Sequence, residues 1–320
     1  MKKIIALFFV ASMLSCGDDD GPAGTRYLDD LFADADVSIE IVYGNNAALV
    51  GTAKDLSLDI YEPSGDSESN RPLLVLAHGG AFVSGTKTSI KDLCIAYAKK
   101  GYVVASIGYR LINDVSISDS VAFSEGVVLT IADMKAAIRY LRNDAQTINS
   151  YGVDADMIFA GGVSAGAIMA NHVAYLDPTD TAIPDYLLDH INTHGGFEGN
   201  TNDVVASYEV KGVLSFSGSL FRDVWVTSDD PPIFMVHESG DPVVPCNYEA
   251  TDVFPFPILA YGACELQPAF EAANVSSQFI LIEDSDQHVG YFSSDADDAT
   301  SQEIIDLSAE FLHNIIIEEI

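Results

Sequence analysis

Short, nearly continuous apolar runs alternate along this chain with stretches in which apolar residues recur every three or four positions. Residues 37–43 and 56–61 come first and differ from the rest. Apolar and polar side chains alternate there, the period of strands with one wet face. Residues 73–77, 102–107, 157–160, 213–216, 233–237 and 279–282 are apolar almost throughout, as strands covered on both faces are. Between them, residues 89–100, 132–142 and 165–175 read as helices, and 304–317 closes the chain as an amphipathic one. Gly101 ends the first of these helices and Pro178 follows the third. Two antiparallel strands followed by alternating buried strands and helices predict an α/β fold, a mostly parallel central sheet flanked by helices. Residues 113–124, 177–207 and 241–257 show no period. They are expected to be long connections of the kind that wall a site, with 177–207 capping it in part.

The start of the chain follows another pattern. Lys2 and Lys3 precede an apolar run at 4–14, then Ser15-Cys16, Gly17 and the triplet Asp18, Asp19, Asp20. The run is shorter than the roughly 20 residues of a membrane-spanning helix and has the layout of a secretory signal. Met13-Leu14-Ser15-Cys16 resembles a bacterial lipobox, with Met13 where Leu is commoner. The acidic triplet resembles the surface-export signal of Bacteroidetes lipoproteins. That resemblance implies lipidation of Cys16 and a lipid-anchored protein of the cell envelope, at the outer membrane or cell surface of a Gram-negative bacterium. The plainer alternative is an ordinary secretory signal with Cys16 removed or inert. The expected organisation is a signal peptide and lipobox at 1–16, an acidic tether at 17–36 and one folded domain at 37–320.

Charge narrows the partners. Against 48 acidic residues stand 15 basic ones, a formal net charge of -33. Nucleic acid is disfavoured as a partner because phosphate binding needs Lys and Arg, and anionic lipid is disfavoured for the same reason. The acidity reads as a solvated, self-repelling surface. Besides Cys16 the chain has Cys94, Cys246 and Cys264. An oxidising compartment permits a Cys246–Cys264 bridge and leaves Cys94 as a free thiol in a helix. No cysteine has a CxxC partner or a histidine at ligand spacing, so no metal is expected.

The chemistry concentrates at strand ends. Gly162-Val163-Ser164-Ala165-Gly166 lies between the strand at 157–160 and the helix at 165–175, a G-x-S-x-G sequence in a strand–turn–helix context. A nucleophile lifted clear of a sheet must sit on a strained turn, and its neighbours must be small to avoid the adjoining backbone. The following helix points its first N–H groups toward developing negative charge. The bland reading is a tight turn with a capping serine. His78-Gly79-Gly80-Ala81-Phe82 follows the strand at 73–77. The amides of Gly79 and Gly80, with that of Ala165, are placed to hold an oxyanion, and His78 is expected to brace the loop. His288 follows the last strand and Asp241 the one before it, so both fall at the sheet's carboxyl edge. There the imidazole takes a proton from Ser164 and the carboxylate orients it. Asp284 and Asp286 compete for the role of acid. The remaining histidines, at 172, 190, 194, 237 and 313, read as surface or packing residues.

The order nucleophile, acid, histidine, with the Ser164 elbow and the His78-Gly79-Gly80 loop, resembles the α/β-hydrolase esterases, in particular their carboxylesterase and feruloyl-esterase-like branches. The resemblance spans about 56–311. It includes Leu58-Asp59-Ile60-Tyr61-Glu62-Pro63, Tyr109-Arg110-Leu111 and Asp133-Met134-Lys135. It implies a cofactor-free serine ester hydrolase acting through an acyl-enzyme on a small ester, an acylated polysaccharide or a polyester. It also implies a buried pair between Tyr109-Arg110 and Asp133. Ala81 departs from the third glycine of many relatives, which keeps the N–H and narrows the pocket. The short 217–231 segment leaves no room for a large lid. A serine peptidase of the same fold and a non-catalytic surface binding protein are the competing readings. Gly195-Gly196-Phe197-Glu198-Gly199-Asn200 carries no chemistry that the residues reveal.

Overall fold

The computed structural model describes residues 4–9, 26–46, 54–112, 118–251, 253–293 and 296–319. Two antiparallel strands, β2 (Ala35–Asn46) and β3 (Lys54–Pro63), lead into β4 (Arg71–Ala77), helix α1 (Lys91–Lys99) and β5 (Val103–Ile107). Helix α2 (Ser120–Thr147), β6 (Val153–Val163), α3 (Ala165–Tyr175) and α4 (Asp185–Thr193) follow. The chain then continues through β7 (Val213–Phe216), β8 (Ser219–Leu220), β9 (Ile233–Glu238), β10 (Glu249–Thr251), β11 (Ile258–Gly262) and α5 (Ala263–Ala273). It closes with β12 (Ser277–Ile282) and α6 (Asp298–Glu319). A further strand, β1 (Ile4–Phe9), stands at the sheet's edge, antiparallel to β12.

The main sheet runs β1-β12-β9-β7-β6-β4-β5-β3-β2. The six strands from β12 to β5 are parallel to one another. All seven residues of β4 are buried, as are all five of β5. The reason is the two-period of the strand. Leu73, Val75 and Ala77 face a core built with α2, α3, α4 and α5, whereas Leu74 and Leu76 face a second core built with α1 and α6. A strand with apolar neighbours on both sides must read as an unbroken apolar run.

Several expectations need correction. Helix α2 is 28 residues long and starts inside the stretch taken as irregular. Asp119 caps it, its carboxylate accepting from the amides of Val121 and Ala122 at 3.0 and 2.9 Å. The stretch at 177–207 contains α4, which packs on α2 through Leu187 and Ile191, and none of it lines the cavity at Ser164. It is not a cap. Helix α5 carries Pro268 within it and had no counterpart in the pattern.

The tether expected at 17–36 becomes part of the domain at Arg26. Arg26 pairs with Asp66, and the amides of Tyr27, Leu31 and Phe32 donate to the carbonyls of Lys100 and Lys99. Residues 17–25 and Cys16 lie outside the described residues. The apolar run read as a signal segment supplies β1, because an unpaired sheet edge accepts any apolar extended segment of the same chain.

Candidate active site

Strand β6 occupies the middle of the sheet, and Ser164 is the single residue between its end and the first turn of α3. Its backbone sits at φ 55 and ψ -117, a strained conformation for a residue with a side chain. The turn is held by the Ser164 amide donating to the Phe216 carbonyl at 2.8 Å. The flanking glycines are enforced by sterics. A β-carbon on Gly166 would stand 2.0 Å from the Ala77 carbonyl oxygen, and one on Gly162 would stand 2.5 Å from the Gly166 carbonyl carbon. The turn can pass this close to β4 only because neither position has a side chain.

His288 lies on the loop after β12 and Asp241 on the loop after β9. The structure brings both to Ser164. His288 Nε2 is 2.7 Å from Ser164 Oγ, and His288 Nδ1 is 2.7 Å from Asp241 Oδ2. The other carboxylate oxygen of Asp241 accepts from the amides of Val243 and Val244 at 2.8 and 2.9 Å. Asp241 is therefore buried with both oxygens engaged and its orientation set. Asp286 is exposed and Asp284 takes a left-handed turn, and it is Asp241 that meets the imidazole.

The loop after β4 lies against the nucleophile. A β-carbon on Gly79 would be 3.2 Å from the Ser164 β-carbon, and Gly80, at φ 118, has its carbonyl bonded by the amides of Val83 and Ser84. Gly79 thus lies against Ser164, and Ala81, Phe82 and the first residue of α3, Ala165, line the cavity in front of it. His78 is buried, with Nδ1 2.7 Å from the Gly79 carbonyl oxygen. Burial holds its pKa below the ordinary histidine value.

Three residues that the sequence did not assign to the active site support this arrangement. The ring of Tyr109 stacks on His78 with centroids 4.3 Å apart, and its hydroxyl donates to the His78 carbonyl at 2.9 Å. Glu238, fully buried, accepts from Ser285 Oγ at 2.8 Å and from the Gly290 amide at 3.0 Å. His237, also fully buried, donates from Nε2 to the Val244 carbonyl at 2.7 Å. Burial keeps it below the usual histidine pKa despite Asp241 nearby. A carboxylate and an imidazole ending an otherwise apolar strand were the available signal.

Next to Tyr109, the expected pair forms. Arg110 Nε donates to both oxygens of Asp133 at 3.0 and 2.9 Å, and Thr201 Oγ1 donates to the same carboxylate at 2.7 Å. The unassigned 195–200 turn lies beside it. The carbonyls of Phe197 and Glu198 accept from Lys135 Nζ and Arg139 Nη1 at 2.9 and 2.7 Å. This turn is an anchor on α2.

A cavity of about 570 Å³, its open mouth included, has Ser164 at its floor. The large apolar residues of its wall include Phe82, Phe123, Ile168, Phe221, Val244 and Phe254. Cys246 and Cys264 form a disulfide at the base of the segment that carries Phe254, and Cys94 is a buried free thiol.

A nucleophile elbow at the centre of a doubly covered parallel sheet, meeting a histidine and a carboxylate from its carboxyl edge, defines the α/β-hydrolase class. The chain belongs to the BD-FAE family of α/β-hydrolase esterases, whose sequence profile matches residues 58–222. Among curated proteins it is 24% identical over 282 residues to the isoprenylcysteine alpha-carbonyl methylesterase of Arabidopsis thaliana, covering 78% of this chain and 58% of that protein. It is 26% identical over 133 residues to Esterase-5C of Drosophila pseudoobscura pseudoobscura, covering 40% and 22%. The chain thus spans little more than half of one relative and less than a quarter of the other. Among solved structures it resembles Thermogutta terrifontis esterase 2 phosphorylated by paraoxon. That match has a TM-score of 0.64 and 22% identity and covers 89% of this chain and 95% of that one. The propionate-bound form of the same esterase matches with TM-score 0.64 over 91% and 97%.

Proposed function

We propose that this protein is a serine carboxylic ester hydrolase. The observation that carries the reading is His288, bonded at 2.7 Å to Asp241 on one side and on the other to Ser164, which lines an apolar cavity. His288 takes the hydroxyl proton as Ser164 Oγ attacks the ester carbonyl. Asp241 fixes the tautomer and stabilises the imidazolium. The amides of Gly79, Gly80 and Ala165 receive the oxyanion. The proton passes to the leaving alcohol, and water then releases the acyl group from Ser164 by the same steps. Family membership supports the reading. Purified protein is to be assayed on p-nitrophenyl acetate and butyrate beside a peptide substrate, with Ser164→Ala as control. Ester turnover lost in a folded Ser164→Ala protein is expected, by several orders of magnitude. Turnover of the peptide alone would make the protein a peptidase, and turnover of neither would make it a binding protein.

We further propose that Cys16 is lipidated and that the protein stands at the cell envelope, on the strength of its lipobox-like junction and the acidic triplet behind it. In that form the 4–9 segment is cleaved off and β12 becomes the sheet's edge. The chain joins the domain at Arg26 and Tyr27, beside Asp66 and Gly101 at the starting ends of β4 and β5. Ser164 is at the opposite, carboxyl ends of the strands. The ten chain steps from Cys16 to Arg26 reach at most about 36 Å, whereas a domain of this size is about 50 Å across. The cavity mouth therefore cannot be pressed flat onto the anchoring bilayer. That supports soluble esters, acylated polysaccharides or polyesters as substrates over the lipids of that membrane. Palmitate labelling of wild type and Cys16→Ala tests the anchor. Label lost in the variant is expected, and equal labelling rejects it.

A further inference from the structure

The walls of the cavity come from separate parts of the chain, and one of them is built unlike the others. Cys246 and Cys264 close an excursion, 18 residues apart in sequence, that leaves the loop of the catalytic acid and returns at the start of α5. Inside it, β10 and β11 pair antiparallel, and β11 pairs with β8 through Tyr261 opposite Leu220 and Gly262 opposite Ser219. The result is a small three-stranded sheet over the mouth, separate from the main one.

Its tip is aromatic. Phe254 stacks on Phe256 at 5.7 Å and meets Phe123 of α2 at 4.8 Å, and Phe123 in turn meets Phe82 of the oxyanion loop at 5.7 Å. A continuous file of rings thus crosses from the hairpin to the loop in front of Ser164. The hairpin contributes Glu249, Thr251, Val253, Phe254, Ile258 and Ala260 to the cavity lining. Phe254 is only half-buried and lines the cavity, so part of its ring can meet a ligand.

Both ends of the excursion are pinned to the strand that precedes the catalytic acid. The imidazole of His237, at the end of β9, donates to the carbonyl of Val244 and accepts from the amide of Ala263 at 3.5 Å. Val244 itself donates to Asp241. The wall and the acid therefore share one footing.

Resting on the esterase reading, we infer that the disulfide-closed hairpin 246–264 is the specificity element of this enzyme. Phe254 and Phe123 grip the apolar chain or ring that flanks the scissile ester, while the exposed Glu249 at the rim turns away substrates bearing a free carboxylate. An extra methylene in an apolar pocket separates substrates by about tenfold or more, so the preference reads directly in kcat/KM.

The test uses the full-length enzyme on two ester series: p-nitrophenyl esters of acetate through octanoate, which vary the acyl group, and acetates of alcohols of rising length. Phe254→Ala is expected to lower kcat/KM for the longer esters about tenfold more than for acetate, mainly through KM. Phe254→Trp, which fills the cavity instead, is expected to move the preference toward acetate. A change confined to the acyl series places the grip on the acyl side, and one confined to the alcohol series places it on the alcohol side. Equal factors at every length in both series overturn the inference while leaving the esterase reading intact. A wild type that turns over no ester at all removes both. Dithiothreitol is expected to flatten the length preference of wild type and to leave that of a Cys246→Ser, Cys264→Ser double variant where it is. A preference of the wild type unmoved by reductant, with the thiols shown to be free, would also overturn it.

Discussion

The carboxylate of Glu238 and the amide of Gly290 are joined by a 3.0 Å hydrogen bond across the ends of β9 and β12, two residues beyond the histidine that meets Ser164. The second oxygen of Glu238 holds Ser285, three residues before that histidine. One buried side chain therefore brackets the His288 loop, and the Gly240 amide adds a bond to the Ser285 carbonyl at 2.9 Å.

Glu238→Ala is expected to lower kcat at least tenfold with little change in KM, since the side chain touches the loop and not the cavity. Glu238→Gln keeps one acceptor and is expected to recover part of the loss. Steady-state kinetics on p-nitrophenyl acetate decide it, and a change in KM alone would reject a positioning role.

Asp133→Asn should destabilise the fold severely, because it leaves Arg110 buried beside a neutral partner with one acceptor oxygen in place of two. Breaking a buried pair of this kind costs about 3–5 kcal/mol. Chemical denaturation of the variant, compared with an exposed control such as Asp286→Asn, measures the loss. A cost under about 1 kcal/mol would class the pair with surface ion pairs.

Gly166→Ala has no room to succeed. The new methyl would lie 2.0 Å from the Ala77 carbonyl oxygen, so β4 and α3 must part. Ester hydrolysis is expected to fall by more than tenfold with a lowered melting temperature. Near-normal values of both would show that the elbow has slack the geometry denies.

His172 makes stability depend on pH. Burial lowers its pKa to about 4 from 6.5, with Nδ1 bonded to the Ile168 carbonyl and Nε2 accepting from Phe221. Above pH 6.5 it is neutral folded or unfolded and has no effect on the balance. Between 6.5 and 4 the unfolded chain binds a proton that the folded one refuses. Stability is then lost as pH falls, by about 3 kcal/mol in all. Asp180 and Asp230, which burial pushes up to about 6, hold protons better when folded and act in the opposite direction. The quantity to measure is thus the slope of unfolding free energy against pH in wild type minus that in His172→Gln. A difference of zero between pH 7 and 4 would contradict the burial effect.

The sequence alone determined everything that follows from local periodicity and from strained turns. The doubly buried strands announced themselves as apolar runs because each must satisfy two cores at once. The elbow around Ser164 was legible because only glycines fit beside it. His288 and Asp241 could be singled out because chain order places them after the last strands of such a sheet. What tertiary structure alone decided involves partners far apart in the chain. Glu238 reaches the His288 loop only because β9 and β12 are neighbours, and Tyr109 reaches His78 only because β5 and β4 are. Helix α2 hid its first three turns because burial on nearly every side sets Ser124, Gly126 and Thr130 among apolar residues and blurs the helical period. Of the stretches expected to wall the site, 241–257 does so and 177–207, expected to cap it in part, does not. Both segments lack a period, and only the disulfide and the pairing of β11 with β8 bring 246–264, and not the other, over Ser164.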